Sequence, residues 1–569
     1  MAVTLSLPKV RADARVLRIV ARWVPFACFI ALLSYLVVLP LVELQVQAFS
    51  NGAAGYRDAY TFPGTSTTLI HTAWLGAGGL AIALVLGTAL AWWSIRLPPK
   101  ARFLRVIPVL PLVTPGVGSV LGWSYMLSPG PGYLNVLLRK IPIWSSTTSG
   151  PIDIYSFGCI VAVTGIILTS FVYLFVSAGF ANVDADYLAA ARISGASSFR
   201  TFIGIAMPLS RPAILYGGGV ALLLGIGQFI VPAFLGASSG VQTLTTEMLR
   251  SISNVIPDYG AAAAYGSPLL VAGIIILIIQ RIGLGDQKRF ITHSGRAFTA
   301  PSSHSSRLSI FGISVYGLLA TAIPLIGLVL VTFSINWTGH VDFAHLTLRN
   351  LAGLSQDSDI RSAIWTSLTA SLIAVAIAIP VGYVSARIML RGSSPVMRTL
   401  VDIIVTIPLA MPVVLFGVGM LLVYIRPPII LYGSSWVFVV VYVTLMLPFA
   451  TRIMLGGMMS LGATYQEASR VCGGGPLRTE LRIHLPLLRP TLGAAGALMY
   501  ALLIQEFAAS ILVAAPTSQV MGTILYQYWI QPNLSYNVVA PMALIMFGVS
   551  VAGVAVALVV GGGDVTRRL

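Results

Sequence analysis

Long apolar runs separated by short polar breaks fill most of the 569 residues. The runs lie near 24–46, 69–94, 104–127, 154–180, 212–235 and 263–283, and the pattern then restarts near 309–334, 366–390, 400–424, 433–457, 491–514 and 541–560. About 20 apolar residues in helix cross a hydrocarbon layer of about 30 Å. The pattern therefore predicts an all-α polytopic membrane protein with about 12 transmembrane helices in two parallel sets of six. Residues 1–22 carry Lys9, Arg11, Arg15, Arg18 and Arg22, and the apolar run behind them is longer than that of a cleaved signal peptide, which predicts an uncleaved first span. Residues 284–306 are polar, basic and without apolar periodicity. They divide the chain into a basic N-terminal segment (1–22), a first half (23–283), a linker (284–306) and a second half (307–569).

Composition narrows the class and charge orients it. With 57% hydrophobic residues, 9% charged residues and a mean hydropathy of +0.90, a soluble globule is excluded. If the N-terminus is cytoplasmic, 27 of the 34 Lys and Arg residues fall in inner breaks and seven in outer loops, as retention of basic residues on the cytoplasmic side requires. Both termini are then inside. The formal charge of +17 is an orientation signal spread over short loops, and no nucleic-acid partner is implied. Cys28, Cys159 and Cys472 stand far apart and suggest neither a metal site nor a disulfide.

One polar stretch occurs twice. DYLAAARISG begins at Asp186 and TYQEASRVCG at Thr464, followed by IAMP and LSRP in the first copy and IHLP and LLRP in the second. Tyr187 and Tyr465, Arg192 and Arg470, Gly195 and Gly473, Arg200 and Arg478, Ile205 and Ile483, Pro208 and Pro486, and Arg211 and Arg489 all keep an offset of 278 residues. Each copy predicts a short helix. Asp186 and Thr464 are suited to the N-cap, and Glu467 completes a capping box in the second copy, where the first has Ala189. Gly195 and Gly473 suit the left-handed turn-out. Pro208 and Pro486, with Pro212 and Pro490, suit the opening turn of the helix that follows. Six spans separate the copies, so the halves share one orientation, unlike inverted repeats.

This spacing resembles the EAA motif of the membrane subunits of binding-protein-dependent ABC importers: E-A-A, three residues, G, nine residues, I-x-L-P. The second copy matches it with Glu467, Ala468, Ser469, Gly473, Ile483, Leu485 and Pro486, and the first with Ala189, Ala190, Ala191, Gly195, Ile205, Met207 and Pro208. The first copy lacks the glutamate. The resemblance implies the type I importer fold, with coupling helices at about 185–195 and 463–473 that seat in two copies of a cytoplasmic ABC ATPase. It also implies a substrate delivered by an external binding protein, alternating access along the interface of the halves, and a bacterial inner-membrane location. The fused form, with GQFIVPAFLG (227–236) and IQEFAASILV (504–513), resembles the ferric-iron permeases most and is also similar to the thiamine, phosphonate, sugar-phosphate and polyamine permeases.

The chain itself shows no ATP chemistry. Its only lysines, Lys9, Lys100, Lys140 and Lys288, follow Pro, Pro, Arg and Gln, so none completes a phosphate-binding loop. ATP and Mg belong to the partner, no cofactor or catalytic set is expected here, and the six histidines are scattered. The rival class is an ion-coupled secondary transporter or channel acting alone. Within the spans, Glu506 and its counterpart Gln228 are the candidate groups on the substrate path, since an ionisable group at such depth carries function or hydrogen-bonds a neighbouring helix to hold the halves together. Glu43, near the outer end of the first span, reads as interfacial. Pro111 and Pro115, matched by Pro408 and Pro412, are candidate bends in pore-lining helices.

Overall fold

The computed structural model describes residues 14–145, 149–181, 183, 185–284, 306–392, 394–461, 464–531 and 536–560. The N-terminal segment up to residue 13 and linker residues 285–305 lie outside them. Among the described residues sixteen helices carry the fold, eight in each half. The first half contains α1 (Ala14–Thr61, kinked where Ser50–Ala53 leave helical backbone), α2 (Thr65–Ile95), α3 (Gly116–Leu127), α4 (Phe157–Ala181), α5 (Ala185–Ile193), α6 (Arg211–Ile226), α7 (Leu244–Ser253) and α8 (Tyr259–Leu284). The second half repeats the series as α9 (Arg307–Phe333), α10 (Ser358–Arg391), α11 (Val413–Tyr424), α12 (Trp436–Leu461), α13 (Thr464–Val471), α14 (Arg489–Ile504), α15 (Met521–Ile530) and α16 (Tyr536–Val560).

Among the described residues eight helices are long and apolar enough to cross a membrane, and counting each of four bent pairs as one span brings the number up to 12. The bends recur at equivalent places. Pro99–Leu112 meets α3 at 94° and Pro395–Leu409 meets α11 at 107°. Thr114 and Met411, each preceding a proline, are forced into extended backbone, which breaks the helix at the proline pairs noted above. Ser198–Leu209 meets α6 at 78°, and Leu477–Leu487 meets α14 at 67°.

Packing follows the same symmetry. Within each half α2 lies along α4, and α10 along α12, with α6 and α14 filling the grooves between them. The first helix of each half crosses into the other half: α1 packs on α11, and α9 on α3. At these crossings Gly122 lies against the Pro324 carbonyl and Gly419 against the Pro40 carbonyl, so close that a β-carbon on either glycine would overlap the oxygen. Such approaches are what small residues permit where helices meet in lipid. The exchange welds the halves. An ion pair adds to it, as Arg426 in the second half reaches Glu43 at 3.3 Å and Gln47 at 3.1 Å on α1. Glu43 is thus an inter-half contact.

Candidate functional site

The two repeat segments adopt one conformation in register. In the first, Gly195 has φ +75°, and the Ala196 N–H reaches back to the Ala191 carbonyl at 2.9 Å; in the second, Gly473 has φ +71°, and the Gly474 N–H reaches Ser469 at 2.8 Å. This is the Schellman closure. It is followed in each copy by one α-turn, Ser198–Thr201 or Pro476–Thr479, and then a π-turn, Phe202–Ala206 or Glu480–His484. Pro208 and Pro486 offer no N–H to the ladder, and the π-turns just upstream absorb the missing bond. These prolines open a single turn before the bend, Met207–Leu209 or Leu485–Leu487, while Pro212 and Pro490 open α6 and α14.

The N-caps differ from the sequence expectation. Helices α5 and α13 begin at Ala185 and Thr464, so Asp186 lies inside the first turn and Thr464 is the first helical residue. Their acids still sit at the positive end of the helix dipole, Asp186 in the first turn of α5 and Glu467 in that of α13. Ala189 belongs to α5.

Both segments are exposed on apolar side chains, and the exposure repeats. Ile193 and Val471 are each 88% exposed, Phe199 and Leu477 each 70%. Tyr187 with Tyr465, and Ile203 with Leu481, are exposed in the same pairing. Asp186, Ala190, Thr464, Glu467, Ala468, Gly195 and Gly473 are exposed too, and Pro208 and Pro486 half-buried. Scattered surface hydrophobes need no explanation, but a patch that recurs residue for residue marks an interaction surface.

Beneath the segments the halves part. In the second, Glu480 Oε1 accepts from Arg387 at 3.2 Å and Arg391 at 3.3 Å, and Oε2 meets His484 Nδ1 at 3.0 Å and the Tyr383 hydroxyl. Tyr383, Arg387 and Arg391 stand four residues apart on α10 and share a face. In the first half Phe202 takes the place of Glu480 and packs on Trp92, ring centroids 5.2 Å apart, while Arg96 lies over the Trp92 ring and donates to Ser198. The joint is aromatic in one half and ionic in the other. The ionic form was not legible in sequence, since Glu480 lies 97 residues from Tyr383.

At the far ends of α6 and α14 the halves meet. Phe229 and Phe507 stack, with centroids 5.4 Å apart and planes 20° apart. Phe234 closes on Phe507 at 5.5 Å and on Tyr526 at 5.3 Å, and the Trp529 indole donates to the Phe234 carbonyl at 3.2 Å. Gln228 and Glu506 flank the stack, but their hydrogen bonds stay within their own halves. The Gln228 side-chain oxygen accepts from the Phe229 N–H at 3.0 Å. The Glu506 carboxylate accepts from Ala509 N at 2.8 Å, from Ser510 N at 3.1 Å and from the Ser510 hydroxyl. It caps the short turn Ser510–Val513, and the inter-half bridge that its depth suggested is absent among the described residues.

A sequence profile of binding-protein-dependent transport system inner membrane components matches the chain twice, at residues 101–283 and 378–562. A putative ferric transport system permease protein of Haemophilus influenzae is 25% identical over 505 residues, covering 86% of this chain and 77% of that protein. A probable ABC transporter permease protein of Sinorhizobium fredii is 27% identical over 495 residues, covering 81% and 82%. The spermidine/putrescine transport system permease protein of Escherichia coli is 29% identical over 216 residues, covering 37% and 76%.

Proposed function

The chain belongs to the family of binding-protein-dependent transport system inner membrane components, and on that premise we propose that it is the permease of an ATP-driven importer in the bacterial cytoplasmic membrane, with α5 and α13 as the coupling helices. The observation that carries the reading is the pair of exposed apolar patches in one register, which suits a partner that is itself two-fold symmetric, a dimer of ATPase subunits. An external binding protein delivers the substrate to the opposite face. Both termini and the linker are cytoplasmic, as the distribution of basic residues supports.

The mechanism follows from the two rods. Helices α6 and α14, 16 residues each, run about 24 Å from the coupling segments to the Phe229–Phe507 stack. Closure of the ATPase dimer draws the coupling helices together, the rods turn about the bends after Leu209 and Leu487, and the stack parts. Hydrolysis restores it. Nucleotide and Mg stay on the partner; the work of this chain is to receive force at one end and open an aromatic plug at the other.

The substrate we favour is ferric iron. The relatives named for ferric transport align over most of the chain, whereas the spermidine/putrescine permease aligns over 37% of it. The test is uptake of labelled ferric iron into membrane vesicles carrying this chain with an ATPase and a ferric-binding protein from the same organism. Uptake that needs ATP and survives a protonophore is expected. Uptake that collapses with the ion gradient and ignores ATP would identify a secondary transporter, and ATP-driven uptake of spermidine in place of iron would move the chain to the polyamine group.

A further inference from the structure

The two coupling segments differ in charge where they are otherwise matched. Beside α13 an open cleft of ≈ 430 Å³ is lined by Tyr465, Ala468, Cys472, Ile483, Arg478 and Arg482. The two arginines are exposed and stand four residues apart, and no ion pair is made by either among the described residues. Glu480 lies between them in sequence but its carboxylate is turned away, held by Arg387, Arg391, His484 and Tyr383. Glu467, on α13 itself, does not line the cleft. At the same register beside α5 stand Tyr187, Ala190, Ser194, Ile205 and Arg200, but Gly204 replaces Arg482. One seat therefore offers a pair of guanidinium groups and the other a single one.

We infer that the cleft beside α13 receives a carboxylate side chain from the docking groove of the ATPase subunit, held between Arg478 and Arg482, and that the seat beside α5 relies on apolar contact. This rests on the permease reading above. Two guanidinium groups on one carboxylate make a charge-assisted contact that salt weakens, whereas burial of Ile193, Phe199 and Ile203 is insensitive to screening. Two copies of one ATPase are thus gripped unequally by a chain whose halves are unequal.

The molecule supplies its own reporter. Cys472 is an exposed thiol at the second seat, and Ser194 is its equivalent at the first. With Cys28→Ser and Cys159→Ser as background, a bifunctional thiol-to-amine crosslinker joins Cys472 to the bound ATPase in the detergent-solubilised complex; Cys472→Ser with Ser194→Cys moves the reporter to the first seat. Raising salt from about 50 mM to about 500 mM should lower crosslinking at the second seat by about two- to tenfold and leave the first nearly unchanged. Arg478→Gln with Arg482→Gln should remove that salt response, and Gly204→Arg should confer it on the first seat. Equal salt responses at both seats, or a response that survives loss of both arginines, would overturn the inference and leave the permease reading intact. Failure of the ATPase to crosslink at either seat would overturn both.

Discussion

Phe229 and Phe507 are the same residue of two repeats, and each is the other's stacking partner across the interface of the halves. A residue that meets its own repeat lies on the pseudo-two-fold axis, so the stack sits on the line any path between the halves must follow. Only the flanks are unequal. Phe234, Tyr526 and Trp529 surround one side, where the repeat places Leu512, Leu249 and Ile252 on the other.

Removing either ring should therefore open a leak. A stacked aromatic pair contributes about 0.5–1.5 kcal/mol beyond the area it buries. Phe229→Ala or Phe507→Ala is expected to let small ions cross proteoliposomes without ATP, while Phe507→Leu retains most of the seal. Ion flux with no nucleotide present is the measurement. Flux no higher than that of the unaltered chain would show that the stack is packing alone.

The turn-out of α5 and α13 gives a second expectation. Gly473 has φ +71° and its N–H reaches the Arg470 carbonyl at 3.0 Å. Gly473→Ala should cost about 1 kcal/mol from the left-handed backbone. Gly473→Pro cannot adopt that φ and loses the hydrogen bond, so it should leave the protein inserted but uncouple ATP hydrolysis from uptake. Glu467→Lys should uncouple as well, because it places a cation at the positive end of the α13 dipole and on the docking face. Parallel assays of ATPase rate and uptake decide both cases.

The turns that close α5 and α13 could be read from sequence because glycine and proline fix the backbone locally, and Gly195, Gly473 and the bends at Pro115 and Pro412 stand where they were expected. The fifth and eleventh spans, expected to be continuous over 212–235 and 491–514, instead break after Ile226 and Ile504. Hydropathy could not show this, since the break covers only residues 227–229 and Phe229, with the helical Ile230 and Val231 behind it, keeps the stretch apolar. The glutamate that caps the resumed turn was legible as a deep ionisable group, but two of its three donors are backbone amides, which no side-chain pattern announces. The Glu480 cluster was out of reach for another reason: its members come together only once α10 packs beside the second π-turn.

That cluster should be essential to the second half in a way that has no counterpart in the first. Glu480 is nearly buried, with two guanidinium groups and His484 directed at it. Glu480→Ala strands the two guanidinium groups, at a cost of about 1–3 kcal/mol after allowance for the partial exposure of Arg387. Thermal unfolding in detergent should shift downward and uptake should fall. Glu480→Phe with Arg387→Trp, which copies the Phe202–Trp92 joint of the first half, should recover part of both. If the single variant unfolds at the temperature of the unaltered chain, the cluster is not a structural joint.

At the end of α10 opposite Arg391, Asp357 makes a contribution to stability that is lost in acid. Its carboxylate accepts from the Tyr528 hydroxyl at 2.7 Å and from the amides of Asp359 at 2.8 Å and Ile360 at 3.2 Å, capping α10. The tyrosine hydrogen bond, ahead of the backbone amides, holds the Asp357 carboxyl below its ordinary range, and the same bond, ahead of burial, pushes Tyr528 up to about 12. A carboxyl with a depressed folded value stabilises fully above the unfolded value of about 4 and loses that contribution as pH falls through the folded one. A phenol with a raised folded value contributes fully below its unfolded value of about 10 and loses that contribution as pH rises through about 12. The pair is therefore silent between about pH 5 and about pH 9. Asp357→Asn should lower the unfolding temperature by a constant amount across that window and flatten the fall below about pH 4. Melting curves of the two proteins that diverge instead between about pH 6 and about pH 8 would require a different titrating group at this end of the bundle.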